Sequence, residues 1–173
     1  NLVRMECRYS NGAGRGAVDM SRLIKASLRM RPDRIIVGEV RGGEVLDMLQ
    51  AMNTGHAGSM STGHGNSTDG MLKRLETMYL MAAQLSIDAV RSQIAQAIEI
   101  MVHTEREGET RRVTEISELC GYENGSFIIN RIMETDQKNN LVFTGNKIKN
   151  DSKLRKGGKE PAYGLPGKRT DIM

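Results

Sequence analysis

Three consecutive β-branched residues, Ile35, Ile36 and Val37, run into Gly38 and Glu39 with helical spacing on either side. A short, uninterrupted run of this kind is what a strand covered on both faces requires. Upstream, Leu23, Ile24, Ala26, Leu28 and Met30 form a helical stripe behind Asp19, a residue suited to the N-cap, and Pro32 with Asp33 ends it. Downstream, Val45, Leu46, Met48, Leu49 and Met52 space as a second helix that stops at Asn53, Thr54 and Gly55. Alternation of strand and helix argues an α/β body.

Met71, Leu72, Leu75, Met78, Tyr79 and Met81 space as a third helix. Ile87, Val90, Ile94, Ala97, Ile98 and Met101 space as a fourth, starting near Ser86 or Asp88. Their methionines read as core filling. From Arg111 the pattern turns to β, with RRVTEISEL, SFIINRIME and NLVFTG separated by glycine and asparagine turns. At the other end LVRMECRY, residues 2–9, alternates apolar and charged as a half-buried strand does, and a glycine-rich loop follows over 10–16. The expected organisation is an α/β body over 1–110, a small β extension over 111–145 and a tail over 146–173. No internal repeat is visible.

The net charge of +4 is concentrated: residues 146–173 hold eight Lys or Arg against three acids, so the body is close to neutral. The tail also holds Pro161 and Pro166 and little periodic apolar content, and it reads as mostly flexible. A basic tail attracts anionic lipid or nucleic acid, but a solubilising extension is the plainer reading. Cys7 and Cys120 lie far apart with no C-x-x-C, which excludes a disulfide scaffold and a cysteine-built zinc site and suits a reducing cytosol. No apolar run approaches the roughly 18–20 residues of a membrane span, and no signal peptide opens the chain. The lack of tryptophan and the six aromatic residues disfavour base-stacking nucleic-acid modules. A chain that opens on Asn1 is expected to be a piece of something longer.

Two segments are too polar for plain scaffolding. In RPDRIIVGEVRGGE, residues 31–44, the strand delivers Glu39 at its carboxyl end with Arg41 just beyond. Ligands of open α/β sheets bind outside the carboxyl ends of strands. A carboxylate there can hold a magnesium-bound water or accept its proton; equally, it can be a solvated glutamate paired with Arg41 or Arg34. In TGHAGSMSTGHGNS, residues 54–67, His56, His64, Ser59, Ser61, Thr62, Asn66 and Ser67 stand among glycines. Hydroxyls, imidazoles and open backbone N–H groups suit anion recognition, and phosphate sensing is the favoured reading. A metal site is the weaker one, because the two histidines lack carboxylate or cysteine company. His103 reads as structural.

Together the two segments, LRMRPDRIIVGEVRGGEVLDMLQAMNTGHAGSMSTGHGNS, closely resemble the CpaF/TadA branch of the type II/type IV secretion and pilus-assembly ATPases. RLETMYLMA, AVRSQIAQAIEIMVHTER and RRVTEISELCGYENG resemble the family too, so the likeness covers about residues 1–145. It implies the C-terminal part of a RecA-like P-loop ATPase domain. Residues 35–39 would then be the Walker B strand and 54–67 the histidine box. Glu39 would polarise the attacking water beside magnesium, holding the ion through water, and Arg41 matches the arginine after it. Thr62 and His64 match residues that couple the terminal phosphate to movement of the sheet. Arg4 and Arg8 resemble arginines near the nucleotide cleft. The implied ligands are ATP and Mg2+. The implied setting is a homohexamer on the cytoplasmic face of the inner membrane, working with an inner-membrane platform protein and with no specific nucleic acid.

Two departures qualify the resemblance. The usual box reads nearer STIHANS, whereas Gly63 and Gly65 stand here, adding backbone freedom beside His64. A Walker A loop, G-x-x-x-x-G-K-[ST], is absent: SNGAGRGAV has no Gly-Lys pair, and GLPGKRT has Ala162 and Arg169 at the deciding positions. The chain by itself is therefore expected neither to bind ATP tightly nor to hydrolyse it. The alternatives are a non-catalytic interaction module of a secretion assembly and a pilus-retraction type of ATPase.

Overall fold

The computed structural model describes residues 1–11 and 15–159. Pro161, Pro166 and the GLPGKRT run lie outside the described residues. Packing divides the chain into two compact units between Ala97 and Ile98.

The first unit runs α1 (Met20–Leu28), β1 (Ile36–Val37), α2 (Val45–Asn53), β2 (Met60–Ser61), α3 (Thr68–Ala82) and α4 (Ile87–Ala97). Asp19 caps α1, accepting from the Arg22 N–H at 2.8 Å, and Ser67 caps α3 through the Gly70 N–H at 3.0 Å; each such cap contributes about 1 kcal/mol. The apolar stripes of the helices meet in one core. Val45, Met48, Leu49 and Ala51 of α2 are buried with Leu72, Leu75, Met78 and Tyr79 of α3, Val90 and Ile94 of α4, and Ile24 of α1. Charged groups tie the same helices together. Asp47 of α2, itself buried, accepts from Ser21 and pairs with Lys25 of α1 at 3.2 Å. Arg91 of α4 grips Glu76 of α3 with two N–H donors at 2.8 and 3.2 Å.

Two expectations for this unit change. Of the β-branched run, Ile35 and Val37 are buried, but Ile36 is 65% exposed. β1 has only β2 beside it among the described residues, so side-chain alternation sends every second residue outward. LVRMECRY is likewise no sheet strand. All of its residues are exposed, and its one ladder contact is the antiparallel bridge from Arg8 to Val18.

The second unit is an antiparallel meander, β3 (Ile100–Glu107), β4 (Thr110–Glu123), β5 (Ser126–Thr135) and β6 (Leu141–Phe143), followed by α5 (Ser152–Lys156). Asn124 and Gly125, both at positive φ, make the two-residue turn between β4 and β5 that matches the twist of a hairpin. β3 corrects the helical reading of Ile98 and Met101. The spacing of Ile94, Ala97, Ile98 and Met101 fits a helix, but α4 ends at Ala97 and Met101 pairs with Ser117 of β4. The structural division thus falls thirteen residues before the boundary expected at residue 110.

The tail also differs from the flexible expectation over 146–159. Glu118, 2% exposed, accepts from the Lys149 N–H at 2.8 Å, the Asn150 N–H at 2.7 Å and the Asn130 side chain at 2.9 Å. The Asn130 amide also donates to the Lys147 carbonyl at 2.9 Å, and Lys153 pairs with Glu99 at 2.5 Å. Burial pushes the Glu118 carboxyl up, but the two amides and Asn130 outweigh it and hold the group below the usual glutamate range. One buried carboxylate thus straps the basic segment to the sheet.

Candidate functional site

β1 and β2 run parallel, Ile36 beside Met60 and Val37 beside Ser61, so their carboxyl ends lie together. Further backbone and hydroxyl bonds extend the pairing past the strands. The Val40 N–H donates to the Thr62 carbonyl at 3.0 Å, and the Thr62 hydroxyl donates to the Gly38 carbonyl in a short bond. At the start of the pair, the Met60 N–H donates to the Ile35 carbonyl at 3.0 Å and Ser59 Oγ accepts from the Ile35 N–H at 3.0 Å. The second polar segment therefore contains a strand, registered on β1 by hydroxyl side chains.

That register places Glu39 against His64. His64 Nε2 stands 3.0 Å from Glu39 Oε1, and Arg41 Nη2 stands 2.5 Å from Oε2. Arg41 is aimed by its loop: Glu44 Oε1 accepts from the backbone N–H of Arg41 at 2.6 Å and of Gly42 at 3.0 Å, closing the R-G-G-E turn. The hydrogen bond from Arg41, with further attraction from His64 and Arg74, outweighs partial burial and holds the Glu39 carboxyl below its usual range. Glu39 is therefore an ionised acceptor at neutral pH. A carboxylate whose pKa is lowered is a weaker proton acceptor than a free one and suits holding water or a metal's hydration shell.

The structure brings together Glu39, Arg41, Thr62 and His64. Arg4 and Arg8 are not joined to them. Arg4 is exposed on the extended segment, while Arg8 gives its Nε–H to the Gly16 carbonyl at 2.7 Å, and neither makes a hydrogen bond or ion pair with the cluster. His56 is structural too: its Nδ1 lies 3.2 Å from the Ala51 carbonyl at the end of α2. His103 lies on β3 and meets the Thr114 hydroxyl at 2.9 Å.

Magnesium fits one feature of this site. Glu39 Oε1 is buried and has no hydrogen-bond partner among the described residues, the His64 ring lying at ion-pair range without an aligned bond. No group of three or more His, Cys, Asp or Glu among them could hold a metal alone. Magnesium is ordinarily held by one or two carboxylates together with water and phosphate oxygens, which a lone orphaned carboxylate oxygen suits.

The glycines beside His64 serve close approach rather than backbone freedom. Neither Gly63 nor Gly65 has positive φ. A Cβ on Gly65 would stand 2.9 Å from Met71 Cβ and 3.1 Å from its Cα, and one on Gly63 would meet the Met71 methyl. The segment thus passes directly against the first turn of α3.

Sequence reasoning missed Arg74 and Lys73, which line a pocket of about 400 Å³ with Arg41, Thr77, Met78 and Met81. The sequence held no signal for them, because charged residues on a solvated helix face look the same whether or not a pocket lies beside them.

Residues 3–160 match the profile of the family described as Type II/IV secretion system protein. Among curated relatives, the conjugal transfer protein TrbB of Rhizobium radiobacter is 40% identical over 73% of this chain and 39% of its own length. The type IV secretion system protein PtlH of Bordetella pertussis is 41% identical over 58% of this chain and 31% of its own. A solved structure, the VirB11 ATPase from the Brucella suis type IV secretion system in complex with sulphate, superposes with TM-score 0.56 at 30% identity, covering 58% of this chain and 32% of that one. The chain spans between three and four tenths of the length of these relatives.

Proposed function

Because the chain belongs to the type II/IV secretion system protein family and its α/β fold is that of the C-terminal part of a RecA-like ATPase domain, we propose that it forms the side of an ATP-hydrolysing motor that carries the catalytic carboxylate. The motor powers transfer of macromolecules across the bacterial envelope. The observation that carries this reading is the convergence of Glu39, Arg41, Thr62 and His64 at the carboxyl ends of two parallel strands. In this reading β1 and Glu39 form the Walker B element, residues 54–67 are the histidine box, and magnesium is held through water on Glu39.

Each residue has a role set by its geometry. Glu39 orients the attacking water with Oε1, while Oε2 is neutralised by Arg41. His64, exposed and 3.0 Å from the same carboxylate, reports on the terminal phosphate by exchanging that partner for a phosphate oxygen. Thr62, bonded to the Gly38 carbonyl, carries the change into the strand pair. Catalysis of phosphoryl transfer by such groups is mainly positioning and charge stabilisation. The phosphate-cradling loop is missing from the 173 residues, so hydrolysis belongs to a longer protein containing them and the chain alone is inactive. That protein works as a homohexamer at the cytoplasmic face of the inner membrane with a membrane platform partner. No helix among the described residues is long and apolar enough to cross a membrane. Relatives named for conjugal transfer and type IV secretion favour export over pilus retraction.

Glu39→Gln in the longer protein tests the assignment. ATP turnover should fall by about 100-fold or more through loss of that positioning and charge, with nucleotide affinity changed only a few-fold. Retained turnover would remove Glu39 from the reaction.

A further inference from the structure

Pairing sorts the side chains of β3 and β4 onto two faces. Ile100 stands opposite Glu118, Val102 opposite Ile116 and Arg106 opposite Arg111, and residues two apart on a strand share a face. One face therefore carries Ile100 and Val102, 47% and 56% exposed, with the exposed pair Arg106 and Arg111 at the hairpin end. Glu105 and Glu107 lie on the other face with Arg112, which pairs with Glu107 at 3.4 Å, and Glu109 is in the turn. Like charges placed directly opposite each other destabilise a hairpin. Arg106 gives one N–H to the Gly108 carbonyl at 2.9 Å, but neither guanidinium has an ion-pair partner among the described residues. At the far end of the same face, Glu118 holds the strap. Lys153 is paired with Glu99 and Arg155 with Asp151. That leaves Lys147, Lys149, Lys156 and Lys159, all exposed, without an ion-pair partner among the described residues. Leu154, 37% exposed, stands between them.

We propose that this face of the second unit docks on an anionic lipid surface. It is basic at both ends and apolar in the middle. Each lysine or arginine near an anionic membrane is worth about fivefold in partition. Ile100, Val102 and Leu154 find their place at the boundary of headgroups and acyl chains, where a peripheral protein buries its apolar side. A headgroup phosphate between Arg106 and Arg111 relieves their mutual repulsion, with a planar fork on each side for its oxygens. A nucleic acid fits the cations but not the middle. Its backbone would lie across two aliphatic side chains, and single strands are held by stacking on exposed aromatic rings. Tyr122, Phe127 and Phe143, the aromatic residues described in this unit, are all partly buried. The inference rests on the motor reading only for its setting at a membrane, and it uses none of the Glu39 cluster.

The test is flotation of the 173-residue chain on a density gradient with vesicles of phosphatidylcholine alone or with about 30% phosphatidylglycerol. Flotation separates vesicle-bound chain, which rises, from self-associated chain, which sinks. Vesicles containing phosphatidylglycerol should bind at least about tenfold more tightly at about 50 mM salt, and about 500 mM salt should remove most of that preference. Arg106→Gln with Arg111→Gln should weaken binding by about tenfold or more, and so should Lys147→Gln, Lys149→Gln, Lys156→Gln and Lys159→Gln together. Ile100→Ser with Val102→Ser should remove the part of the binding that survives high salt. Arginine at the same four lysine positions should retain binding, which a loss through misfolding would not. Circular dichroism of every variant should match the parent, because the changed side chains are exposed. Equal binding to both kinds of vesicle, no binding up to about 1 mM lipid, or undiminished binding by either glutamine variant would overturn the proposal. Tighter capture by random-sequence DNA, duplex or single-stranded, than by the anionic vesicles would overturn it in favour of a nucleic acid. No readout involves a nucleotide, so failure of this surface and failure of the Glu39 assignment are separate results.

Discussion

The site depends on glycines chosen for what they lack. Gly65 passes so close to Met71 that an added methyl would meet the backbone Cα at 3.1 Å and Cβ at 2.9 Å. At Gly63 the collision is with the Met71 methyl, the mobile end of a flexible side chain. Gly65→Ala should therefore cost about 1–3 kcal/mol through overpacking, while Gly63→Ala should cost under about 1 kcal/mol because Met71 can swing aside. Urea denaturation of the two variants measures the difference. Equal losses would mean that backbone freedom, not close approach, is what the glycines provide. This reverses the reading made from residue identity alone, which recognises a glycine but not the neighbour that excludes its Cβ.

Among the elements, those with local chemical signals were legible and those decided by distant partners were not. Asp19 before a helical stripe, and Asn124 with Gly125 between two alternating runs, carry their own start and turn instructions. β3 carries none. Ile98 and Met101 satisfy a helical period as well as a strand period, and pairing with β4 decides between them. The neighbourhood of Glu39 and His64 was readable because β1 ends on one and β2 leads to the other. Lys73 and Arg74 were not, since a helix surface shows no sign of the pocket beside it. The tail misled through its composition: six basic residues against Asp151 over 146–159 conceal a strap held by Glu118. Glu118→Gln would turn an –NH2 toward backbone donors and should cost about 1–3 kcal/mol. It should also raise hydrogen exchange at the Lys149 and Asn150 amides. The sign of the pH dependence follows from the lowered carboxyl of Glu118. Its contribution is fully present above the ordinary glutamate range near about 4.3 and is lost as pH falls through the lower folded value. Glu118→Gln should flatten that acid limb; an unchanged limb would mean that the strap is held by other contacts.

For the molecule as a whole, the decisive feature is an apolar surface that the described residues leave uncovered. Ile36 and Met60 are direct partners across β1 and β2 and are 65% and 56% exposed. No third strand pairs with either among the described residues. Leu2 and Val3 add further exposed apolar area in the same unit, at 75% and 62%. Short parallel strands with bare edges are stable only when their faces are covered, and an open edge also offers unpaired backbone donors and acceptors to another chain. The 173-residue chain should accordingly self-associate with rising concentration, through sheet edge and apolar face together. Sedimentation velocity in reducing buffer measures this without interference from exposed Cys7. Ile36→Lys with Met60→Lys should shift the distribution toward monomer, because two opposed lysines repel each other and keep their own water. The core of Val45, Leu49, Leu72 and Tyr79 is untouched by either change, so the helical circular dichroism should persist. A parent chain that stays monomeric across the concentration range would show that this face is satisfied within the molecule, and the strand pair would then need no further strand beside it.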